Sequence, residues 1–151
     1  MKLEDAIKST RFADERHKAM INLMYTAYWA KSHVSTVLKD NGLTAEQFNV
    51  LRILKGKHPE PMCVRDIASR MIEKSSNVPR IIDRLVEKKL AKRTVSKEDK
   101  RETLITLTDK GMQQTITATT LTDEITNSII GVTNEEAAQL NELLEKIRQK
   151  D

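Results

Sequence analysis

A basic segment in the middle of the chain carries side chains that can form hydrogen bonds with the edges of nucleic-acid bases. Within residues 75–88, apolar residues recur at helical spacing and leave a polar face opposite. An arginine can donate two hydrogen bonds to O6 and N7 of guanine, and an asparagine can pair likewise with adenine, each pair contributing about 1–3 kcal/mol of discrimination. The segment therefore predicts a helix that reads bases in a major groove. The residues of its outer face are Ser76, Asn77, Arg80 and Arg84.

Two serines open this predicted helix, and a charged turn lies further along the chain. Ser75 and Ser76 lie at the predicted helix start, where the positive end of the helix dipole favours a phosphate. The alternative interpretation is that the polar face of this helix, with its arginines, is simply exposed to solvent and binds no nucleic acid. A charged turn that follows, residues 96–101, is expected to reach phosphates or a flanking minor groove.

Four charged residues of that turn have predicted roles. Lys97, Lys100 and Arg101 are expected to contact the duplex mainly through its backbone. Asp99 would be repelled by phosphates, so it is predicted to hold Arg101 in position by a charge-assisted hydrogen bond. The alternative is a charged hairpin tip that only keeps the protein soluble.

The elements around these side chains predict a winged helix-turn-helix. Residues 64–71 form a short apolar-faced helix, and a three-residue link joins it to the basic helix, so the two must cross at a steep angle. Pro79 falls in the first turn of the basic helix, where a missing N–H costs little. Residues 90–95 and 103–107 are rich in β-branched side chains and predict the two strands of the wing.

Longer helices are predicted on both sides of this unit. Residues 12–38 have apolar residues at spacings of three and four, and Gly42 is suited to the left-handed position that closes a helix. Thr44 with Gln47 predicts a capping box that opens a helix through residue 55. The stripe expected to be buried along the first helix comprises Met20, Leu23, Met24, Ala27, Tyr28, Val34, Val37 and Leu38.

Two more helices close the chain. Thr108 and Asp109 are expected to cap one that runs to about residue 130, and Thr133 with Glu136 predicts a capping box for the last one. Neither these helices nor the long first one is needed for a minimal winged helix-turn-helix. Their spare apolar faces predict a dimer. The terminal helix would use Ala137, Leu140, Leu143, Leu144 and Ile147.

Length and composition limit the alternatives. A chain of 151 residues fits one domain, and 32% charged with 3% aromatic residues favours a helix-rich fold. The net charge of +4 fits a polyanionic partner only weakly, so the distribution of charge matters more. The first residues lack the apolar core of a signal peptide, which predicts a cytoplasmic protein. A single cysteine, Cys63, excludes an intramolecular disulfide and multi-cysteine zinc sites.

An ordered set of motifs resembles the MarR family of transcriptional regulators. The stretch 43–51, LTAEQFNVL, opens the second helix, and NVPRIIDRL at 77–85 lies in the basic helix. Asp99-Lys100-Arg101 fits the family's Asp-x-Arg wing motif, and LTDKG at 107–111 fits its Leu-Thr-x-x-Gly. Each motif alone is a weak indicator of the family, but their occurrence in this order between residues 43 and 111 is specific to it.

The resemblance implies a homodimer that binds double-stranded DNA. Residues 1–151 would form one domain, with 43–111 as the winged helix-turn-helix and with 1–40 and 112–151 as the helical dimerisation region. Such a dimer would read a pseudo-palindrome whose half-sites lie about 34–36 Å apart. Members commonly repress transcription, and many release DNA when a small phenolic or other ligand binds.

Two positions depart from the family pattern. Many members have glycine where this chain has Lys89, which demands a left-handed lysine or a different helix end. Pro79 stands where serine or threonine is usual, so one possible contact to phosphate or base is missing. Neither departure removes Arg80, Arg84 or Arg101.

The sequence specifies the sensing mechanism poorly. Peroxide-sensing members carry a cysteine near the start of the first helix, and this chain has none there. Its three histidines are scattered without the spacing of a zinc site, so no metal or other cofactor is predicted. A pocket for an aromatic effector is one hypothesis, although core packing and dimer contacts explain the same residues more simply. The pocket candidates are Tyr25, Tyr28, Trp29, His33, Phe48 and Arg52.

Two other classes of function are compatible with a chain of this size and composition. An enzyme is disfavoured, because the chain has no glycine-rich phosphate loop, no His-Glu-x-x-His and no Ser-x-Gly nucleophile turn. The remaining alternative is a winged-helix protein–protein interaction module without specific DNA binding. A salt-dependent affinity for DNA would separate that module from a regulator.

Overall fold

The computed structural model describes residues 1–74, 77–96 and 99–149, and it confirms the predicted fold class, mainly α with a small β-hairpin wing. Seven helices and three strands occur in these ranges. The helices are α1 (Leu3–Ile7), α2 (Glu15–Asp40), α3 (Ala45–Lys57), α4 (Val64–Arg70), α5 (Val78–Glu87), α6 (Asp109–Ile129) and α7 (Asn134–Arg148). The strands are β1 (Met62–Cys63), β2 (Ala91–Val95) and β3 (Thr103–Leu107).

The three strands form an antiparallel sheet in the order β1-β3-β2. The hairpin of β2 and β3 pairs Ala91 with Leu107 at its base and Val95 with Thr103 near its tip. The sequence did not predict β1, because two residues carry no periodicity. β1 exists through its pairing with β3, in which Met62 lies opposite Ile105, 43 positions later in the chain.

One hydrophobic core joins α3, α4, α5 and the sheet. Ile67, Ile82, Leu85 and Ile105 are completely buried in it. Because these residues come from α4, α5 and β3, the core fixes the orientation of α5 against the strands. Leu38 extends the same core to the C-terminal end of α2.

The predicted signals at helix ends are confirmed. The Thr44 hydroxyl accepts a hydrogen bond from the Gln47 N–H at 3.2 Å, and Gln47 Oε1 accepts one from the Thr44 N–H at 3.2 Å. Thr133 and Glu136 form the same reciprocal pair at the start of α7. Gly42 has φ of +70° and closes α2, with the Leu43 N–H donating to the Leu38 carbonyl at 2.9 Å.

The prediction of a buried stripe along the first helix was wrong for most of its length. Met24 is 66% exposed and Tyr28 is 72% exposed, whereas Leu38 at the other end is buried. Only the C-terminal part of α2 lies over the core, and several apolar side chains before it remain exposed within one chain. The helix also begins at Glu15 rather than residue 12, and α1 was not predicted.

Helix α6 is rich in threonine and packs along α2. Six of its 21 residues are threonines. Thr115 and Thr122 are buried with Ala118 on one face. Several hydroxyls donate back to carbonyls of the preceding turn, as in the bond from Thr115 Oγ1 to the Gly111 carbonyl at 2.6 Å and from Thr126 Oγ1 to the Thr122 carbonyl at 2.6 Å. These bonds give the threonine hydroxyl groups hydrogen-bond partners within the helix itself.

Lys89 has the left-handed conformation that its position demands, with φ of 60°. Its N–H donates to the Val86 carbonyl at 2.9 Å, and the Leu90 N–H donates to the Leu85 carbonyl at 2.9 Å. This pair of bonds closes α5 in the pattern that usually employs glycine. A lysine there carries a steric cost that glycine lacks.

Lys89→Gly should therefore stabilise the protein by about 1 kcal/mol, because it relieves the clash of Cβ with the backbone in the left-handed region. Urea unfolding followed by circular dichroism, at a fixed protein concentration, measures the change. Lys89→Ala is the matched control, since it removes the same charge and keeps Cβ. An equal gain in both variants would show that charge, and not backbone strain, is the cause.

Candidate nucleic-acid interface

Helix α5 presents the predicted base-reading arginines to solvent. Val78, Ile82 and Leu85 are buried on its inner face, which leaves Arg80 and Arg84 exposed one turn apart on the outer face. The helix begins at Val78 rather than at residue 75, and Asn77 is its N-cap residue. Asn77 is thus exposed at the helix start instead of within its first turn.

Pro79 lies in the first turn of α5, as predicted. The first N–H groups of a helix have no partner within it, so the proline removes no hydrogen bond there. Its fixed φ instead favours the helical conformation at the point where α5 begins. Ser75 and Ser76, the predicted phosphate contacts before it, lie outside the described residues.

Two ion pairs surround the outer face of α5. Arg84 Nη1 lies 2.9 Å from Glu87 Oε2, and both side chains are more than half exposed. An exposed pair of this kind contributes only about 0–1 kcal/mol, so Arg84 can exchange it for another acceptor at little cost. Arg93 of β2 is bound across the elements, with Nη1 2.6 Å from Asp83 Oδ1 and Nη2 3.4 Å from the Pro79 carbonyl.

Arg93 is a residue whose role the sequence did not reveal. Its guanidinium joins the first strand of the wing to α5. The carboxylate of Asp83 and the carbonyl of Pro79 come from successive turns of that helix. No local pattern could have identified the pair, because β2 reaches α5 only after the chain has folded.

The turn of the wing is organised by Asp99. Its Oδ1 accepts a hydrogen bond from the Arg101 backbone N–H at 2.9 Å, and its carbonyl accepts one from the Glu102 N–H at 2.9 Å. The predicted contact between Asp99 and Arg101 is therefore made by the backbone of Arg101. Lys100 and Arg101 are exposed beside it. Lys97 lies outside the described residues.

The six residues considered for an aromatic pocket are not brought together in one cavity. Tyr28 lines a cavity of about 500 Å³ between α2, α3 and the residues after α4. Tyr25 and Trp29 line a separate cavity of about 310 Å³ beside α1. Positions four apart share a helix face, whereas Tyr28 is displaced by about 100° from Trp29. His33 contacts the Trp29 ring edge-on with centroids 4.8 Å apart.

The other two pocket candidates lie on α3. Phe48 is 6% exposed and belongs to the core. The Arg52 guanidinium lies 5.8 Å from the centroid of its ring, within the range of a cation–π contact. These two side chains thus cover the core rather than line the larger cavity.

An ion pair forms part of the lining of the larger cavity. Lys31 Nζ of α2 lies 2.5 Å from Oε1 of Glu73, which follows α4, and both residues line the cavity. The hydrogen bond that the Lys31 ammonium donates to the Glu73 carboxylate raises the pKa of this ammonium. The Ile72 N–H beside them donates to Asn49 Oδ1 at 3.0 Å. The cavity therefore adjoins both α2 and the link that leads to α5.

The chain matches a family of regulators. Residues 32–116, more than half of the chain, match the model described as transcriptional regulator SarA/Rot. A curated relative, the HTH-type transcriptional regulator MhqR of Bacillus subtilis, is 29% identical over 80 residues. That alignment covers 53% of this chain and 54% of MhqR, so the chain matches about half of the relative's length. These relatives are regulators of transcription and not enzymes.

Solved structures share the fold over most of the chain. A MarR-like transcription regulator from Bacillus cereus superposes with a TM-score of 0.80 at 20% identity, covering 90% of this chain and 97% of that one. BpsR of Bordetella bronchiseptica, whose DNA binding is regulated by 6-hydroxynicotinic acid, has a TM-score of 0.72 at 26% identity, covering 85% and 97%. In the part of the chain that the structure describes, no helix is both long and apolar enough to span a membrane.

Proposed function

The chain belongs to the SarA/Rot family of transcriptional regulators, a MarR-type winged helix group, and from this premise we propose that it binds a specific double-stranded DNA operator as a homodimer. The observation that carries the proposal is the exposed face of α5, where Arg80 and Arg84 stand beside a basic wing. We infer repression as its regulatory effect, because a dimer seated on an operator blocks other proteins there.

The proposed contacts divide between bases and backbone. Asn77, Arg80 and Arg84 read base edges, since α5 places them at the start and outer face of the helix that would enter the major groove. The wing supplies contacts to the sugar-phosphate backbone, with Asp99 fixing the turn that carries them. The residues proposed to contact the sugar-phosphate backbone of the DNA, from the segment before α5 and from the wing, are Ser75, Ser76, Lys97, Lys100 and Arg101.

The proposed dimer uses the apolar residues that one chain leaves uncovered. A groove of about 490 Å³ lies between α2 and α7 and is lined almost wholly by apolar side chains. Leu143 of α7 is 60% exposed and Met24 of α2 is 66% exposed. Large exposed apolar surfaces usually mark an interface, and a second copy offers the same faces in return. The dimerisation region would then comprise residues 1–40 and 112–151, with 43–111 as the DNA-binding region.

Leu143→Lys should convert the dimer to a monomer, because it places a charge in the apolar contact. Sedimentation velocity at several protein concentrations measures the change. Val95→Lys is the control, since Val95 is 63% exposed on the wing, away from α2 and α7. A monomeric wild-type protein at all concentrations, or a dimeric Leu143→Lys variant, would contradict this interface.

Release of DNA by a small aromatic effector is the proposed form of control. BpsR, which shares the fold, is regulated by 6-hydroxynicotinic acid. The cavity beside Tyr28 supports such a site in this chain, because it is largely apolar and adjoins both α2 and the link before α5. A regulator of transcription works where the chromosome is, so we also place the protein in the cytoplasm.

Selection of bound duplexes from a random pool at near-physiological salt tests the proposed function. We expect enrichment of a pseudo-palindrome that binds at least about a thousandfold more tightly than scrambled DNA. Failure of wild-type protein to enrich any sequence, with and without a panel of aromatic acids, would overturn the proposal. That result would favour a protein–protein interaction module instead.

A further inference from the structure

The C-terminal end of α5 is tied to the corner between α2 and α3. Lys88 is the C-cap residue of α5, and its Nζ donates to the Gly42 carbonyl at 2.6 Å and to Gln47 Oε1 at 3.0 Å. These acceptors are more than 40 residues earlier in the chain. The ammonium at the end of the basic helix is therefore directed towards the protein.

Both acceptors are themselves held in place. Gly42 closes α2, and its own N–H donates to the Lys39 carbonyl at 2.9 Å. Gln47 is 7% exposed, and its Oε1 also accepts from the Thr44 N–H in the capping box of α3. A charged donor bound to fixed acceptors forms stronger hydrogen bonds than a neutral one. The corner thus offers Lys88 a preformed site.

Helix α6 is joined to the same place from the other side. Lys110 Nζ donates to the Lys88 carbonyl at 3.1 Å, and Gln114 Nε2 donates to the Asn41 carbonyl at 2.6 Å. The neighbouring carbonyls of Asn41 and Gly42 therefore accept hydrogen bonds from α6 and from the end of α5, respectively. A displacement of the end of α2 would move the acceptors of both helices together.

We propose that Lys88 is a positioning residue that transmits the position of the end of α2 to α5, and that it is not a phosphate contact despite its charge. The inference rests on the proposed function, since it assigns to α2 an effect on how α5 meets DNA. The two hydrogen bonds of Lys88 to Gly42 and Gln47 are called the tie below. A ligand or dimer contact that shifts α2 would then alter the orientation of Arg80 and Arg84 through the tie.

Lys88→Met tests the tie, with Lys89→Met as the matched control. The two variants lose the same charge at adjacent, exposed positions, and the control keeps both bonds of Lys88. Hydrogen exchange of the free protein is measured over residues 41–47 and 85–90. Affinity for the selected duplex and for scrambled DNA is measured over a range of salt concentrations, well below the melting temperature of each variant.

Loss of the tie should accelerate exchange in both segments by about tenfold, the loss expected for a charged hydrogen bond. Lys88→Met should also weaken the selected duplex by about tenfold, with scrambled DNA and the salt slope as in wild type. Lys89→Met should leave exchange unchanged.

Three results would overturn the inference. A salt slope lowered by about one in Lys88→Met, with normal exchange, would make Lys88 a phosphate contact. If Lys88→Met shows faster hydrogen exchange but an unchanged preference for the selected duplex, the tie exists but plays no part in DNA recognition. If Lys88→Met and Lys89→Met have the same hydrogen exchange rates and the same DNA affinities, the hydrogen bonds of Lys88 do not hold α5 to the corner. If wild-type protein selects no duplex, the proposed function fails, and the exchange data alone decide whether Lys88 holds α5 to the corner.

Discussion

Replacing Gly111 with alanine should lower the free energy of unfolding by about 3 kcal/mol, or prevent folding, because there is no space for a methyl group. A Cβ at this position would lie 1.9 Å from the Leu90 carbonyl oxygen and 2.8 Å from its carbon. That carbonyl cannot easily move, since it accepts the Thr108 N–H at 3.2 Å at the base of the wing. Urea unfolding at a fixed protein concentration gives the loss.

The matched control is Gly56→Ala. Gly56 lies within α3, and no described atom outside its local helix comes within 4 Å of a Cβ built there. Alanine is a better helix former than glycine, so this variant should gain about 0.5–1 kcal/mol. An unfolding midpoint for Gly111→Ala equal to that of wild type would show that the close approach of α6 to Leu90 is not required.

Arg80→Ala should weaken binding to the selected duplex by about 1–3 kcal/mol and relax the preference at the base pairs that it contacts, because a paired hydrogen bond to a base edge is lost. Lys100→Ala should weaken all duplexes alike and lower the salt slope by about one, as expected for a contact to phosphate. Titration of selected and scrambled duplexes over a salt series measures both effects.

These two variants control for each other, since each removes one exposed positive charge from the proposed interface. Equal losses on selected and scrambled DNA in both would contradict the division between base-reading helix and backbone-binding wing. Wild-type stability is expected in both variants, so circular dichroism should exclude unfolding as the cause.

The features predicted correctly from sequence were those that depend on neighbouring residues. Thr44 with Gln47 forms its capping box because both partners lie within one turn. For Lys89 the sequence left two alternatives, a left-handed lysine or a different helix end, and the structure has the first. The β-branched side chains within residues 103–107 predicted β3 with its observed bounds.

The features that were missed depend on contacts between distant segments. β1 exists through Met62 pairing with Ile105, and Arg93 acquires its role through Asp83. Periodicity identified the apolar residues of α2 but could not say which of them the same chain would cover. The aromatic residues of α2 were grouped by type, whereas their angular positions separate Tyr28 from Tyr25 and Trp29.

The threonines of α6 have a consequence for how the protein unfolds. Threonine is a weak helix former, and six of them in 21 residues make α6 a poor helix in isolation. Its helical state therefore depends on packing against α2 and on the base of the wing. Since α6 spans both, neither region can lose structure without loosening the other. We expect a single cooperative melting transition, in which the DNA-binding unit and the long helices are lost together.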